Sequence, residues 1–472
     1  MTIEQIYTGC LAQGAYYIQS GNEAAIIDPL REVAPYIEKS LANHATIKYV
    51  FETHFHADFV SGHVDLSKQT GAPIIYGPNA KPTYQAHIAK DGEIFKLGDI
   101  SIKVLHTPGH TMESTSYLLF DELGKETALF SGDTLFIGDV GRPDLAQKAA
   151  QMTKEDLAGI LFDSLRKKIM PLSDDIFVYP GHGAGSACGK NMSKETTDTL
   201  GHQKLSNYAL RSDMTREEFI KEVTDGLTPP PAYFPLNVKM NREGYDSFET
   251  VLKKGTQALT PEEFELIANE TGALLLDTRA AQIFASAFVP NSINIGIDGN
   301  FAPWVGTLIP DIQQQILVIA DDGREEEVVT RLSRVGYDHA VGYLKGGIES
   351  WIKSGRAIDQ IQSITAKELA NRFDKTPLNI LDVRKASEYF SEHLLNAENT
   401  PLDYINDVMA KLDKAKTYYV HCAGGYRSMI FNSILRARGF DHLIDIKGGF
   451  KAIKESEKLE VSDYVCPSKM TK

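Results

Sequence analysis

Cysteine is scarce in this chain: 472 residues contain four, Cys10, Cys188, Cys422 and Cys466. Thiols so few and so scattered cannot form a disulfide framework, so the question for each is whether it is reactive. Long apolar runs are missing too. Nothing approaches the roughly 20 consecutive apolar residues of a spanning helix. The opening Met-Thr-Ile-Glu-Gln has no basic stretch leading into an apolar one, so a secretory signal is not expected and a cytoplasmic location is. Positive charge is in deficit, with 49 Lys and Arg against 63 Asp and Glu and a net charge of -14. That imbalance repels polyanions and argues against nucleic acid and anionic membranes as partners, while leaving room for a local basic pocket that takes a small anion.

What is present is ordinary globular composition, 42% hydrophobic and 24% charged, in a chain too long for one core. The first segment carries short apolar strands: Ala24-Ala25-Ile26-Ile27 ends on Asp28-Pro29, Tyr49-Val50-Phe51 runs into Thr53-His54, and Thr127-Ala128-Leu129-Phe130 precedes Ser131-Gly132-Asp133. Helices are expected between them, over Lys154–Lys168 and around Lys194–Ser212, which makes an α/β pattern. Three consecutive prolines, Pro229 to Pro231, then bar helix and central strand and read as an ordered connector that wraps back on the first domain.

The remainder repeats itself. Leu274-Leu275-Leu276-Asp277-Thr278-Arg279 returns as Asn379-Ile380-Leu381-Asp382-Val383-Arg384, Gly336-Tyr337-Asp338 as Gly439-Phe440-Asp441, and Lys345-Gly346-Gly347 as Lys447-Gly448-Gly449. A period of about 100 residues is a duplicated domain and not a solenoid unit. Strands alternating with helices in both copies imply parallel sheets covered on both faces. The expected domains are residues 1–257, 258–358 and 359–472.

Metal-capable side chains fall just past apolar strands in the first segment. They are His54, His56 and Asp58 in Thr53-His54-Phe55-His56-Ala57-Asp58, His110 in Pro108-Gly109-His110-Thr111, Asp133 in Ser131-Gly132-Asp133-Thr134, and His182 in Pro180-Gly181-His182-Gly183. Imidazole and carboxylate together suit zinc or iron, and several strand ends can converge on one ion. These motifs resemble the metallo-β-lactamase fold, an αββα sandwich. That family's fuller pattern, His-x-His-x-Asp-His, supports two metals; here its last position is Phe59, which cannot ligate.

His54 to His63, together with Gly132 to Leu145, is similar to the persulfide dioxygenases, a branch holding one Fe(II) on two His and one carboxylate. The resemblance implies His54, His110 and Asp133 as ligands of one iron per chain, with His56, Asp58 and His182 behind them. It further implies open coordination positions for a persulfide and O2, with Arg142 and Thr111 as contacts for the carrier thiol. Cys188, a few residues past the His182 turn, is a candidate sulfur relay.

Tyr418-Tyr419-Val420-His421 reads as a strand running into Cys422-Ala423-Gly424-Gly425-Tyr426-Arg427, with a helix over roughly Ser428–Arg438. A cysteine between a strand end and a helix N-terminus is favoured as a thiolate. The loop resembles the rhodanese active-site loop, which implies a Cys422 persulfide, contacts from Ala423, Gly424, Gly425 and Tyr426, and anion binding by Arg427. The first copy reads Ala320-Asp321-Asp322-Gly323-Arg324 and has no cysteine, so it is expected to be a scaffold or an interaction module.

Taken together, the resemblances imply oxidation of a thiol persulfide (of glutathione, coenzyme A or another small thiol) by O2 to sulfite and thiol. Rhodanese transfer between sulfite and thiosulfate, in either direction, would be coupled to it in sulfide detoxification. A homo-oligomer is expected as well. Two other readings stand beside this one: a dizinc thioester hydrolase of the glyoxalase II type, and a sulfur carrier or sensor with a degenerate metal domain.

Overall fold

Side-chain alternation decides the architecture of the first part of the chain. Along the strand Gln13–Ser20, Tyr16 and Ile18 enter one apolar cluster while Ala15 and Tyr17 enter another. Along Glu23–Ile27, Ala25 and Ile27 divide from Ala24 and Ile26 in the same way. A period of two with both faces apolar belongs to a sheet covered on both sides.

The computed structural model describes residues 1–373 and 377–466; residues 374–376 and 467–472 of the expected last domain lie outside them. The chain divides into two compact units, Met1–Phe248 with Leu332–Gly336, and Glu249–Arg331 with the chain from Tyr337 onward. The first unit holds two six-stranded sheets. One runs Thr2–Thr8, Gln13–Ser20, Glu23–Ile27, Thr46–Phe51, Ile74–Tyr76, His87–Ile88; the other runs Asp198–Thr199, Phe177–Pro180, Glu126–Gly132, Thr115–Phe120, Ile100–His106, Ile94–Leu97.

Tyr16, Phe51, Val104, Tyr117 and Phe130 fill the layer that both sheets share. Tyr17, Tyr36, Val50 and Leu66 pack the helices Ala34–Ala42 and His63–Thr70 on the outer face of the first sheet. Leu129, Leu161 and Phe219 do the same for Lys154–Ser164 and Arg216–Thr224 on the second. The layers are therefore helix, sheet, sheet, helix, the αββα sandwich.

Two helices differ from the sequence expectation. Lys154–Ser164 starts on a capping box between Thr153 and Asp156 and gives way to a π-helical turn, Leu165–Ile169. The segment 194–212 is broken into a strand Asp198–Thr199, a helix Leu200–Ser206 and a 3-10 turn Tyr208–Leu210. Thr199 and Asn207 accept backbone N–H groups with their side chains, and such local bonds start and stop helices instead of continuing them.

In the second unit each copy is a five-stranded parallel sheet. The spatial orders are Ala258–Leu259, Ala340–Leu344, Ile316–Ile319, Leu274–Asp277, Ile293–Asn294, and then Gln362–Ile364, Leu443–Ile446, Tyr418–His421, Asn379–Asp382, Ala397–Asn399. The two orders are the same, strand for strand. The central strands Ile316–Ile319 and Tyr418–His421 are buried at every position, as a strand covered on both faces must be.

The repeat extends to its polar supports. Arg279 forks onto Asp277 and Arg384 onto Asp382, while Asn294 and Asn399 each bond the two flanking carbonyls. Among the described residues no helix is long and apolar enough to cross a membrane.

The chain after the prolines belongs to the first unit as far as Phe248, and the second begins at Glu249. After the prolines, the helix Phe234–Glu243 starts with Pro235 in its first turn, where the missing N–H costs nothing. Its fully buried Asn241 donates to the carbonyls of His56 and Phe59, each at 2.8 Å, and accepts from Ser61 N–H at 2.9 Å. Arg31, also fully buried, stacks 3.7 Å from the centre of the Tyr245 ring. The helix thus pins the loop that carries His54 to Asp58. Each buried polar group stripped of its partner costs about 1–3 kcal/mol, so Asn241→Ala is expected to lose about 3 kcal/mol, read as a lower urea midpoint at unchanged m-value.

Candidate functional site

Every metal-capable motif sits at the C-terminal end of a strand of the first unit, after Thr46–Phe51, Ile100–His106, Glu126–Gly132 and Phe177–Pro180. Three of the side chains converge. His54, His110 and Asp133 are buried, with one donor atom from each within 4.8 Å of the others. Asp133 Oδ2 lies 3.5 Å from His110 Nε2 and 3.9 Å from His54 Nε2, and this buried oxygen has no hydrogen-bond partner. Donors bound to one metal at about 2.1 Å stand roughly 3.0–3.5 Å apart, so the His110–Asp133 pair already has that spacing and the His54–Asp133 pair, at 3.9 Å, would have to close slightly.

The surroundings fix which nitrogen each ring presents. His110 Nδ1 donates to the Arg142 carbonyl at 2.9 Å, leaving Nε2 with its lone pair toward Asp133. Thr53 Oγ1 spends its proton on Asp28 Oδ2 at 2.8 Å and so accepts from His54 Nδ1 at 3.0 Å. Orientation of this kind is what metal-binding imidazoles require. Burial, then the neighbouring His56, lowers the pKa of His54 well below its ordinary value and keeps the ring neutral. Burial alone would raise the Asp133 carboxyl, but His182, His54 and His110 outweigh it and hold the group well below the usual carboxylate range. At Gly141 a Cβ would overlap the Asp133 carbonyl and come within 2.8 Å of His110 Nδ1, so only glycine lets that loop pass.

His56, Asp58 and His182 do not join the triad. His56 Nε2 turns to Asp28 Oδ1 at 3.1 Å and Glu52 Oε2 at 3.5 Å, in a second buried group. Burial and the Asp28 charge push Glu52 well above its ordinary value. His182 bridges two carboxylates, Nδ1 to Asp133 Oδ1 and Nε2 to Asp58 Oδ2, both at 2.8 Å. Burial would lower its pKa, yet Asp133 and Asp58 together raise it well above normal. Phe59 is fully buried, its ring centre 4.3 Å from that of His56 and 6.4 Å from that of His182.

The buried Arg142 guanidinium forks onto Asp144 and donates to the carbonyls of Ala187 and Thr228, bracing the loop whose carbonyl orients His110. Thr111 is tied to Ser114, Oγ1 to Oγ at 2.8 Å. Cys188 groups with Asp58 and His182. Burial, then the charges of Asp58 and Asp133, raise its thiol well above the ordinary value, which opposes a thiolate relay. Asp28, Glu52 and Asn241 were missed in the sequence; Asp28 showed only as a strand end.

In the second unit Cys422 is 1% exposed, while Ala423 and Gly424 beside it are exposed and open the loop. Gly425, at φ 102°, begins the helix Tyr426–Ala437 two residues earlier than expected, and its N–H points at Cys422 Sγ at 3.1 Å. That donor favours a thiolate or persulfide anion. Arg427 forks onto Glu388 at 2.6 and 2.8 Å, so the donor that meets the sulfur is the Gly425 N–H and not this guanidinium. Matched register, Asp277 with Ile319 and Asp382 with His421, makes Ala320 the residue that stands where Cys422 does.

Residues 8–182 match the metallo-beta-lactamase superfamily, and residues 260–354 and 365–456 match the rhodanese-like domain. Hydroxyacylglutathione hydrolase GloC of Haemophilus influenzae is 30% identical over 235 residues, covering 45% of this chain and 99% of that protein. A metallo-beta-lactamase structure from Staphylococcus aureus subsp. aureus COL is 32% identical with a TM-score of 0.64, covering 73% of this chain and 99% of that one. The structure of ETHE1 from Myxococcus xanthus is 28% identical with a TM-score of 0.44, covering 51% and 98%. With its strand-end His and Asp residues on an αββα sandwich and a duplicated parallel-sheet domain later in the sequence, the chain belongs to the metallo-beta-lactamase superfamily and carries two rhodanese-like domains.

Proposed function

We propose that the first unit oxidises a small-thiol persulfide and that Cys422 transfers sulfane sulfur. The balanced reactions are RSSH + O2 + H2O giving RSH + H2SO3, and Cys422–S–S⁻ + SO3²⁻ giving Cys422–S⁻ + S2O3²⁻. The second can run either way. The observation that carries the reading is Phe59: an apolar ring stands at the motif position of a second-metal ligand, while His54, His110 and Asp133 converge on the unbonded Asp133 Oδ2. A ferrous ion held by those three residues would supply the chemistry that lets sulfur react with dioxygen.

The rest of the chemistry is the protein's. Thr53 and the Arg142 carbonyl aim the two imidazoles. His182 occupies Asp133 Oδ1, so that only Oδ2 is offered. In the second unit the Gly425 N–H holds the sulfur of Cys422. Fusion in one chain keeps producer and consumer of sulfite at about millimolar effective concentration.

Similarity to the hydroxyacylglutathione hydrolases favours a second reading, a two-zinc thioester hydrolase. It requires a ligand that Phe59 does not supply. Metal analysis separates the two: about one iron per chain is expected, and two zincs with no oxygen consumption would discard the dioxygenase.

Oxygen-electrode traces with glutathione persulfide give the further test. His110→Ala is expected to lower oxygen uptake by about 100-fold or more while thiosulfate:cyanide sulfur transfer stays near wild type. Cys422→Ser is expected to do the reverse. Loss of oxygen uptake with free persulfide in Cys422→Ser would refute the division of labour.

A further inference from the structure

The cysteine-less copy lies within the same compact unit as the thiol loop and touches it directly. Two supports fix the loop's first half from its own domain: Phe450 N–H donates to the Cys422 carbonyl at 2.6 Å and Lys451 N–H to the Ala423 carbonyl at 3.1 Å. The returning half is held from the other copy. Tyr426 donates its hydroxyl to the Gly296 carbonyl at 2.7 Å, and its ring lies across Gly299. A Cβ at Gly299 would overlap Tyr426 Cε2 and Cζ and stand 2.9 Å from Cδ2; one at Gly296 would stand 3.3 Å from Cε2.

The seat is itself anchored, since Arg331 donates to the Ile297 carbonyl at 2.6 Å and Ile297 N–H to the Thr278 carbonyl at 2.9 Å. Two residues on, Ser428 and, from the cysteine-less copy again, Gln282 hold opposite oxygens of the buried Asp445, both at 2.8 Å. Phe284, Phe288 and Met429 close the contact with apolar area.

We infer that Tyr426 is a positioning residue for sulfur transfer and that the Gly296–Gly299 turn of the cysteine-less copy is its seat, so that this copy shapes the Cys422 loop. Tyr426 follows Gly425 directly, and the Gly425 N–H is the donor on the sulfur. A shift of the ring therefore rotates that donor off Sγ. Misplacement of about 1 Å in such a group costs rate more than binding. The inference rests on the reading of Cys422 as the sulfur-carrying residue.

The test uses the full chain, thiosulfate as donor and cyanide as acceptor. Gly299→Ala is expected to lower kcat about tenfold, with KM for thiosulfate changed by less than about threefold. The pH profile of Cys422 alkylation by iodoacetamide, followed on the Cys422 peptide by mass spectrometry, is expected to move upward as the N–H donor leaves the sulfur. Oxygen uptake is expected to stay at the wild-type rate. In a Tyr426→Ala background the added Gly299→Ala is expected to cost nothing more, because the ring it strikes is gone.

Wild-type kcat and pH profile in Gly299→Ala, or independent multiplying losses in the double variant, would overturn the inference. If Gly299→Ala does not fold, as thermal unfolding would show, Tyr426→Phe carries the test: about a threefold fall in kcat supports the seat, and an unchanged kcat and pH profile refute it. Retention of transfer by Cys422→Ser strikes the underlying reading instead and leaves the Gly299 result to be read separately.

Discussion

Burial of Asp133 among three imidazoles gives its two oxygens different fates. Oδ1 accepts His182 Nδ1 at 2.8 Å, while Oδ2 faces His54 and His110 without a hydrogen. His182 can do this only because Asp58 takes its other nitrogen, so an imidazole raised well above its ordinary pKa is shared between two carboxylates. A buried charge is tolerated when it is paired and bonded on every side. The sandwich, by placing four strand ends around one carboxylate, meets that condition at Oδ1 and leaves Oδ2 unbonded, and the Thr53, Arg142 and Asn241 contacts prevent the loops from relaxing away.

Much of this was legible in the sequence. Apolar strands ending on His or Asp located the six metal-capable residues, the persulfide dioxygenase resemblance selected His54, His110 and Asp133 from among them, and the recurring Asp-x-Arg and Gly-Gly pairs located the duplicate domains, because the strand-end and repeat signals are local. Residues whose roles depend on distant partners were not legible. Asn241 lies 185 residues from His56, and nothing near it signals that its amide bonds that loop. Arg142 shows why charge in a suggestive loop is a weak guide: the same guanidinium could meet a ligand or a carboxylate, and Asp144 two residues on decided it. The helix expected over 194–212 failed for a third reason, since Thr199 and Asn207 act as caps, which periodicity does not detect.

The two departures from motif have a common physical form. Phe59 replaces a ligating position and Ala320 replaces a thiol, and each removes a reactive group while keeping an apolar side chain that packs. In the cysteine-less copy the supports survive unchanged: the Arg279 fork on Asp277 matches the Arg384 fork on Asp382 to within 0.1 Å in both the Nε–Oδ1 and NH2–Oδ2 bonds, and Asn294 repeats Asn399. The cysteine-less copy thus keeps the scaffold without the thiol, as expected when a loop residue is free to differ while removing one partner of a buried Asp–Arg pair would leave an uncompensated charge.

A scaffold kept after its chemistry has gone must still satisfy its exposed surfaces, and here the surface is spent on the active copy. Phe284 and Phe288 stack with ring centres 4.2 Å apart in a cluster with Met429, and Ser433 accepts the Asn294 N–H at 2.9 Å. These contacts all fall on the helix that begins at the thiol loop, Tyr426–Ala437. A helix fixed along its length transmits its position to its first turn, where Gly425 and Tyr426 set the environment of the sulfur. One sheet therefore carries the thiol and the other restricts the helix behind it, which gives the duplication a use that a single copy could not provide.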